Sequence, residues 1–114
     1  MKQFITAAKA IADPTRIKII KLLQAKELCV CEIQAALALS QPTISNHMKI
    51  LEKAEMSTSR KERNWVIYRL TADSANLYSR QFLNNIREWL DHDPEIKQLR
   101  LKLQTIDRLT ICKK

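Results

Sequence analysis

The sequence predicts a mainly α-helical domain with a small β-hairpin wing, a winged helix-turn-helix that works as a homodimer. Three observations carry that expectation. Two helical segments meet at a brief turn before Ser40, and a basic two-strand hairpin follows the second of them. The apolar stripes at the two ends of the chain exceed what one small core can cover, so a second copy is expected to share them. The 114 residues suffice for one domain, residues 1–114, with dimerising helices at about 2–12 and 73–111.

The elements follow in order. Phe4, Ile5, Ala8 and Ile11 recur at helical spacing over residues 2–12. Asp13-Pro14 then opens a second helix, Asp13 as its N-cap and Pro14 in its first position. That helix runs to about Ala25, with Ile17, Ile20 and Leu23 on one side and Ile19 and Leu22 beside them, which suits the centre of a small domain. Residues 27–39 hold a short helix beginning near Cys31 and including Ile33, Ala36 and Leu37. Ser40 caps the next helix, with Pro42 in its first turn and Ile44, Met48 and Leu51 as a buried stripe. Strands are expected over residues 56–60 and 65–70, the second rich in Trp, Val, Ile and Tyr. Lys61-Glu62-Arg63-Asn64 joins them, with Asn64 standing in for glycine at the turn. Two helices finish the chain. Residues 73–91 carry Tyr78, Phe82, Ile86 and Trp89; residues 94–111 carry Ile96, Leu99, Leu103 and Ile106, after a second cap-and-proline start at Asp93-Pro94.

Composition narrows the function. No run approaches the length of a transmembrane helix and no signal-peptide pattern is present, so a cytoplasmic protein without a membrane partner is expected. Three cysteines in such a chain argue against a disulfide scaffold and leave a metal or reactive-thiol role open. The formal charge of +8 points to an anionic partner, nucleic acid first. The charge is spread, however, with six of the 20 Lys and Arg in each of residues 1–26, 41–70 and 97–114, so a solvated surface explains much of it. Glycine is absent throughout, which excludes a glycine-rich phosphate loop and leaves left-handed positions to Asn, Asp or a strained residue. With no nucleophile–base arrangement, paired acids or cofactor loop, neither an enzyme nor a catalytic cofactor is expected.

A helix-turn-helix followed by a basic hairpin has a geometric use. The second helix fits the major groove of double-stranded DNA, where small polar side chains near its N-terminus reach base edges and phosphates. Here these are Gln41, Thr43, Ser45 and Asn46, with Lys49 a turn later for a phosphate. The hairpin offers Arg60, Lys61 and Arg63 to the backbone or minor groove. His47, at the edge of the buried stripe, reads as structural.

ELCVCEI, residues 27–33, places Cys29 and Cys31 one residue apart. On a helix, positions i and i+2 point about 200° apart and cannot easily grip one ion; in an extended segment they share a face. Chelation there favours a chain extended or bent where the helix begins. The rival readings are small buried hydrophobes and a strained transient disulfide that senses oxidation.

ADPTRIKIIKLL, ELCVCEI, LSQPTISNHMKILEKAEM and RKERNWVIYRL, in this order and spacing, resemble the ArsR/SmtB family of metal-responsive repressors over roughly residues 3–72. ELCVC is similar to its arsenic-responsive branch. The resemblance implies a winged-helix homodimer that leaves its operator when a metal ion or metalloid binds, and it makes the helix from Ser40 the recognition helix. It also implies As(III) or Sb(III) as inducer, held by three sulfurs. Two are local; Gln34 stands where relatives can carry a third, which leaves Cys112 as the other candidate. Zn, Cd or Pb at the same thiolates, or thiol oxidation, are the alternatives. Two departures from the family pattern matter: Glu55 and Arg63-Asn64 occupy positions where glycine is frequent. Asp91-His92-Asp93 could suggest a second metal site but reads as the end of one helix and the cap of the next.

Overall fold

Side-chain caps decide where most of the helices begin. In the computed structural model, which describes residues 1–111, the order is α1 (Lys2–Ile11), α2 (Pro14–Ala25), β1 (Leu28–Cys29), α3 (Val30–Leu37), α4 (Gln41–Lys53), β2 (Ser57–Glu62), β3 (Trp65–Leu70), α5 (Leu77–Ile86), α6 (Pro94–Leu103) and α7 (Arg108–Ile111). Asp13 accepts the Arg16 N–H at 3.1 Å, Ser40 the Thr43 N–H at 3.3 Å, and Asp93 the Glu95 and Ile96 N–H groups. Pro14, Pro42 and Pro94 sit in the first turns behind these caps, where their missing N–H removes no helical bond.

The core gathers around α2. Ile19, Ile20 and Leu22 pack with Ile33 of α3 and with Ile44, Met48 and Leu51 of α4, all buried as the stripes require. The three strands form an antiparallel sheet in the order β1-β3-β2, with Leu28 opposite Tyr68, Cys29 opposite Ile67 and Arg60 also opposite Ile67. Strand alternation splits β3 between two environments. Tyr68 and Leu70 face the main core with Leu28, while Trp65 and Ile67 form a separate small cluster with Cys29 and Cys31.

Several expectations are corrected. The segment before α3 is a short strand, while the helix itself starts at Val30, within one residue of the expected start near Cys31. The first hairpin strand is Ser57–Glu62, which shortens the turn to Arg63-Asn64. The helix expected over residues 73–91 is shorter at both ends: Asn76 caps it, accepting from Tyr78 and Ser79 N–H, and it ends at Ile86. Trp89 therefore lies outside it. The last expected helix is broken after Leu103, and a new turn of helix begins at Arg108.

The missing glycines leave a clear trace. Among the described residues the left-handed positions are Ala38, Glu55, Arg63 and Leu90, none of them Asn or Asp. Asn64 does not take the left-handed turn position; Arg63 does, at φ 59°.

Candidate nucleic-acid interface and thiol site

The recognition-helix candidates lie where helix geometry puts them. With Ile44, Met48 and Leu51 turned into the core, Gln41, Asn46 and Lys49 are exposed and Thr43 and Ser45 are half-buried. Thr43 Oγ1 lies 2.9 Å from Ser40 Oγ, so this side chain reinforces the cap as well as facing outward. On the hairpin, Lys61 and Arg63 are exposed at and beside the tip. Arg60 differs, because its guanidinium bonds Glu27 and also Glu62 at 3.1 Å. Those bonds raise its pKa, Glu27 first, and fasten β2 to the segment before β1. His47 receives Arg16 Nη1 at 3.1 Å on Nδ1, and Arg16 also donates to the Lys9 and Ala10 carbonyls. It therefore joins α4 to the end of α1, as a structural histidine would.

Cys29 is the N-cap of α3, with extended backbone at φ −87° and ψ 169°. Its N–H donates to Glu32 Oε1 at 2.9 Å, and its side chain faces the Glu32 N–H, so Cys29 and Glu32 form a capping box. Cys31 lies within the first turn, partly exposed. The chain is thus extended at one cysteine and helical at the next, bent where chelation by both thiols needs it. A cavity of about 140 Å³ opens there, lined by Cys29, Cys31, Gln34, Gln41, Asn64 and Trp65. It touches the start of the recognition helix and the tip of the wing.

Glu32, Arg108 and Trp65 were not among the residues singled out from the sequence. The buried Glu32 carboxylate accepts from Arg108 Nε at 2.9 Å, and the Arg108 guanidinium lies 5.5 Å from the centroid of the Trp65 ring. Burial pulls the Arg108 pKa down, but the Glu32 hydrogen bond, then the charges of Glu32 and Cys29, leave it raised. The spacing Cys-x-x-Glu was a legible signal for Glu32, since it repeats the Ser/Thr-x-x-Glu box with sulfur in place of oxygen. Nothing in sequence spacing marks Arg108 as its partner.

Among the described residues no three His, Cys, Asp or Glu side chains stand close enough to hold a metal ion. Cys112 lies outside the described residues. Asp93 caps α6, and Asp91 accepts from Lys21 at 2.7 Å and Arg100 at 3.0 Å, so both carboxylates of the Asp-His-Asp run have structural work.

Residues 13–56 match the family described as "Bacterial regulatory protein, arsR family". The arsenical resistance operon repressor of Staphylococcus xylosus is 38% identical over 90 residues, which cover 79% of this chain and 79% of that one. The chain belongs to the arsR family. The match spans α2 to α4, the part that holds both cysteines and the recognition helix. The arsenical resistance operon repressor of Escherichia coli K12 is 45% identical over 64 residues, 55% of each chain. Reduced HlyU from Vibrio cholerae N16961 superposes with a TM-score of 0.66 at 25% identity, over 80% of this chain and 92% of that one. As an arsR-family member with this fold, the chain is a DNA-binding transcriptional repressor with a winged helix-turn-helix. Among the described residues no helix is long and apolar enough to cross a membrane.

Proposed function

We propose that this arsR-family repressor holds a roughly palindromic operator as a homodimer and releases it when As(III) or Sb(III) engages Cys29, Cys31 and Cys112. The observation that carries the reading is the shared cavity: the two thiol-bearing residues and Gln41, the first residue of the recognition helix, line one space. Gln41, Thr43, Ser45 and Asn46 read base edges in the major groove, and Lys49 meets a phosphate. Lys61 and Arg63 reach the backbone or minor groove from the wing. Arg60 contributes less, since contact with DNA competes with its bonds to Glu27 and Glu62.

Two sulfurs are local, and a trigonal thiophilic ion calls for a third. Cys112 is the remaining cysteine of the chain. The Cys112→Ser variant tests that third thiolate.

Capture of the Cys29 sulfur withdraws it from the capping box and loosens the first turn of α3. Release by a factor of 100 requires a coupling of about 2.7 kcal/mol. Loss of an N-cap is worth about 1 kcal/mol, so the cap supplies part of the coupling. The rest must come from repacking around Gln41 and Trp65, which border the same cavity.

The test uses a labelled duplex selected by the protein itself from a random-sequence pool, followed by fluorescence anisotropy under reducing conditions. Arsenite is expected to release wild type, while Cys29→Ser and Cys31→Ser stay bound and Cys112→Ser responds only at higher arsenite. Release that survives the double Cys29→Ser, Cys31→Ser change rules the site out. Release by oxidant but not arsenite identifies a thiol-oxidation sensor, and release by Zn, Cd or Pb salts alone identifies a different inducer.

A further inference from the structure

One cleft lies away from the cysteines and from the wing tip. Its volume is about 500 Å³, within the size range of small-molecule sites. The cleft is formed by the end of α2, the end of β3 and one side of α5. Arg69, Arg80 and Arg87 all line it.

These guanidiniums are poorly neutralised. The Arg87 side chain has no hydrogen bond or ion pair among the described residues. Arg80 has Asp73 at 3.4 Å, a long bond to a carboxylate that is almost wholly exposed. Arg69 donates through Nε to the Thr58 hydroxyl, which leaves its terminal nitrogens uncommitted. One carboxylate, Glu27, stands on the wall, and Arg60 already occupies it. Thr71 also lines the cleft, and its Oγ1 is buried without a hydrogen-bond partner. Three guanidiniums with uncommitted donors in a partly enclosed space form an arrangement that an anion completes.

We propose that this cleft binds a small organic polyanion, a molecule carrying two or more carboxylate or phosphate groups. Arginine forks match the oxygen pairs of either group. Leu23 and Leu83 line the same cleft and supply apolar surface for a carbon skeleton, which favours an organic anion over a bare inorganic one. Along α5 and its C-cap, Arg80, Leu83, Asn84 and Arg87 form one stripe, and Tyr78 lies on the opposite side. A dimer seam on the Phe4 and Tyr78 side leaves the cleft open. A ligand here ties the root of the wing, through Arg69, to α5. The inference is independent of the cysteines and of the inducer.

Isothermal titration of the reduced protein with citrate, and separately with inorganic phosphate, tests it at constant ionic strength. Citrate is expected to bind saturably with one molecule per chain, and phosphate more weakly. Arg87→Ala should weaken citrate about tenfold, and Arg87→Lys less, because lysine keeps the charge but loses the fork. Lys97→Ala, which removes one exposed charge outside the cleft, should leave binding unchanged. Absence of saturation with either probe up to about 10 mM overturns the proposal, as does equal weakening by Arg87→Ala and Lys97→Ala. So does a comparable loss of DNA affinity by Arg87→Ala in anion-free buffer, which would make the cleft a phosphate-backbone contact instead.

Discussion

Glu32 shows how much one side chain decides near the thiols. It is 2% exposed, and Oε1 accepts from both the Cys29 N–H and Arg108 Nε. A carboxylate so deep is stable only while charged or strong donors meet it. Glu32→Ala removes a cap and deprives Arg108 of its carboxylate, with an expected loss of about 2 kcal/mol in urea unfolding. Glu32→Gln keeps an acceptor for the Cys29 N–H and should cost about half as much; equal losses would count against the capping role. Lys21 is the mirror case, a buried cation donating to the Ile86 and Trp89 carbonyls and to Asp91. The Lys21 hydrogen bond outweighs burial and, with Arg100, holds the Asp91 carboxyl below its ordinary value. The unfolded chain therefore takes up this proton first as pH falls. The stability Asp91 contributes is complete above the ordinary carboxylate pKa, about 4, and is lost as pH drops through the lower folded value. Denaturant midpoints measured across that acid range should fall less steeply for Asp91→Asn than for wild type.

Among the elements, the end of the recognition helix shows what a chain without glycine must accept. Glu55 N–H bonds the Glu52 carbonyl and Met56 N–H the Leu51 carbonyl, both at 2.9 Å, with Met56 and Leu51 buried together. This is a Schellman motif whose left-handed residue, at φ 58°, is a glutamate. A side chain at that conformation costs about 1–2 kcal/mol. Glu55→Gly should therefore raise unfolding stability by about 1 kcal/mol, with DNA affinity unchanged because Glu55 lies at the far end of α4 from Gln41. The departure from the family pattern was legible in the sequence, and so were the helix starts at Asp13, Ser40 and Asp93, because caps act on residues two or three positions away. The end of α5 was not legible. Its apolar spacing continues to Trp89, but the buried Lys21 ammonium, more than sixty residues earlier, takes the carbonyls that would prolong the helix. The strand at Leu28–Cys29 escaped for a similar reason: two residues show no alternation, and the partner that makes them a strand is β3. At the candidate site the cysteines and their bent backbone could be anticipated, whereas the Arg108 contact with Glu32 and Trp65 depends on a break in the last helix that periodicity runs through.

At the scale of the whole molecule, the apolar surface left uncovered asks for a second copy. Phe4 and Ile5 on α1 and Leu77 and Tyr78 on α5 are all at least 40% exposed, and Phe4 meets Tyr78 edge to face at 5.3 Å. The Phe4 and Tyr78 pair joins α1 to α5 as a partly exposed aromatic contact, the kind of apolar surface a partner covers. A two-fold seam there would place two recognition helices on one face of a duplex, with half-sites about 34 Å apart or a multiple of that. The competing patch, Trp89, Leu90 and Leu101, lies around the α5–α6 connection and on α6. Tyr78→Asp distinguishes the two, because a charge in a closed apolar seam is costly, whereas at an exposed position it changes little. Sedimentation equilibrium should give twice the chain mass for wild type and a single chain mass for Tyr78→Asp, with helix content unchanged by circular dichroism. DNA affinity should fall about 100-fold or more, since each half-site then binds alone. A variant that remains dimeric moves the seam to the Trp89 and Leu101 patch, and Leu101→Asp becomes the change that must break it.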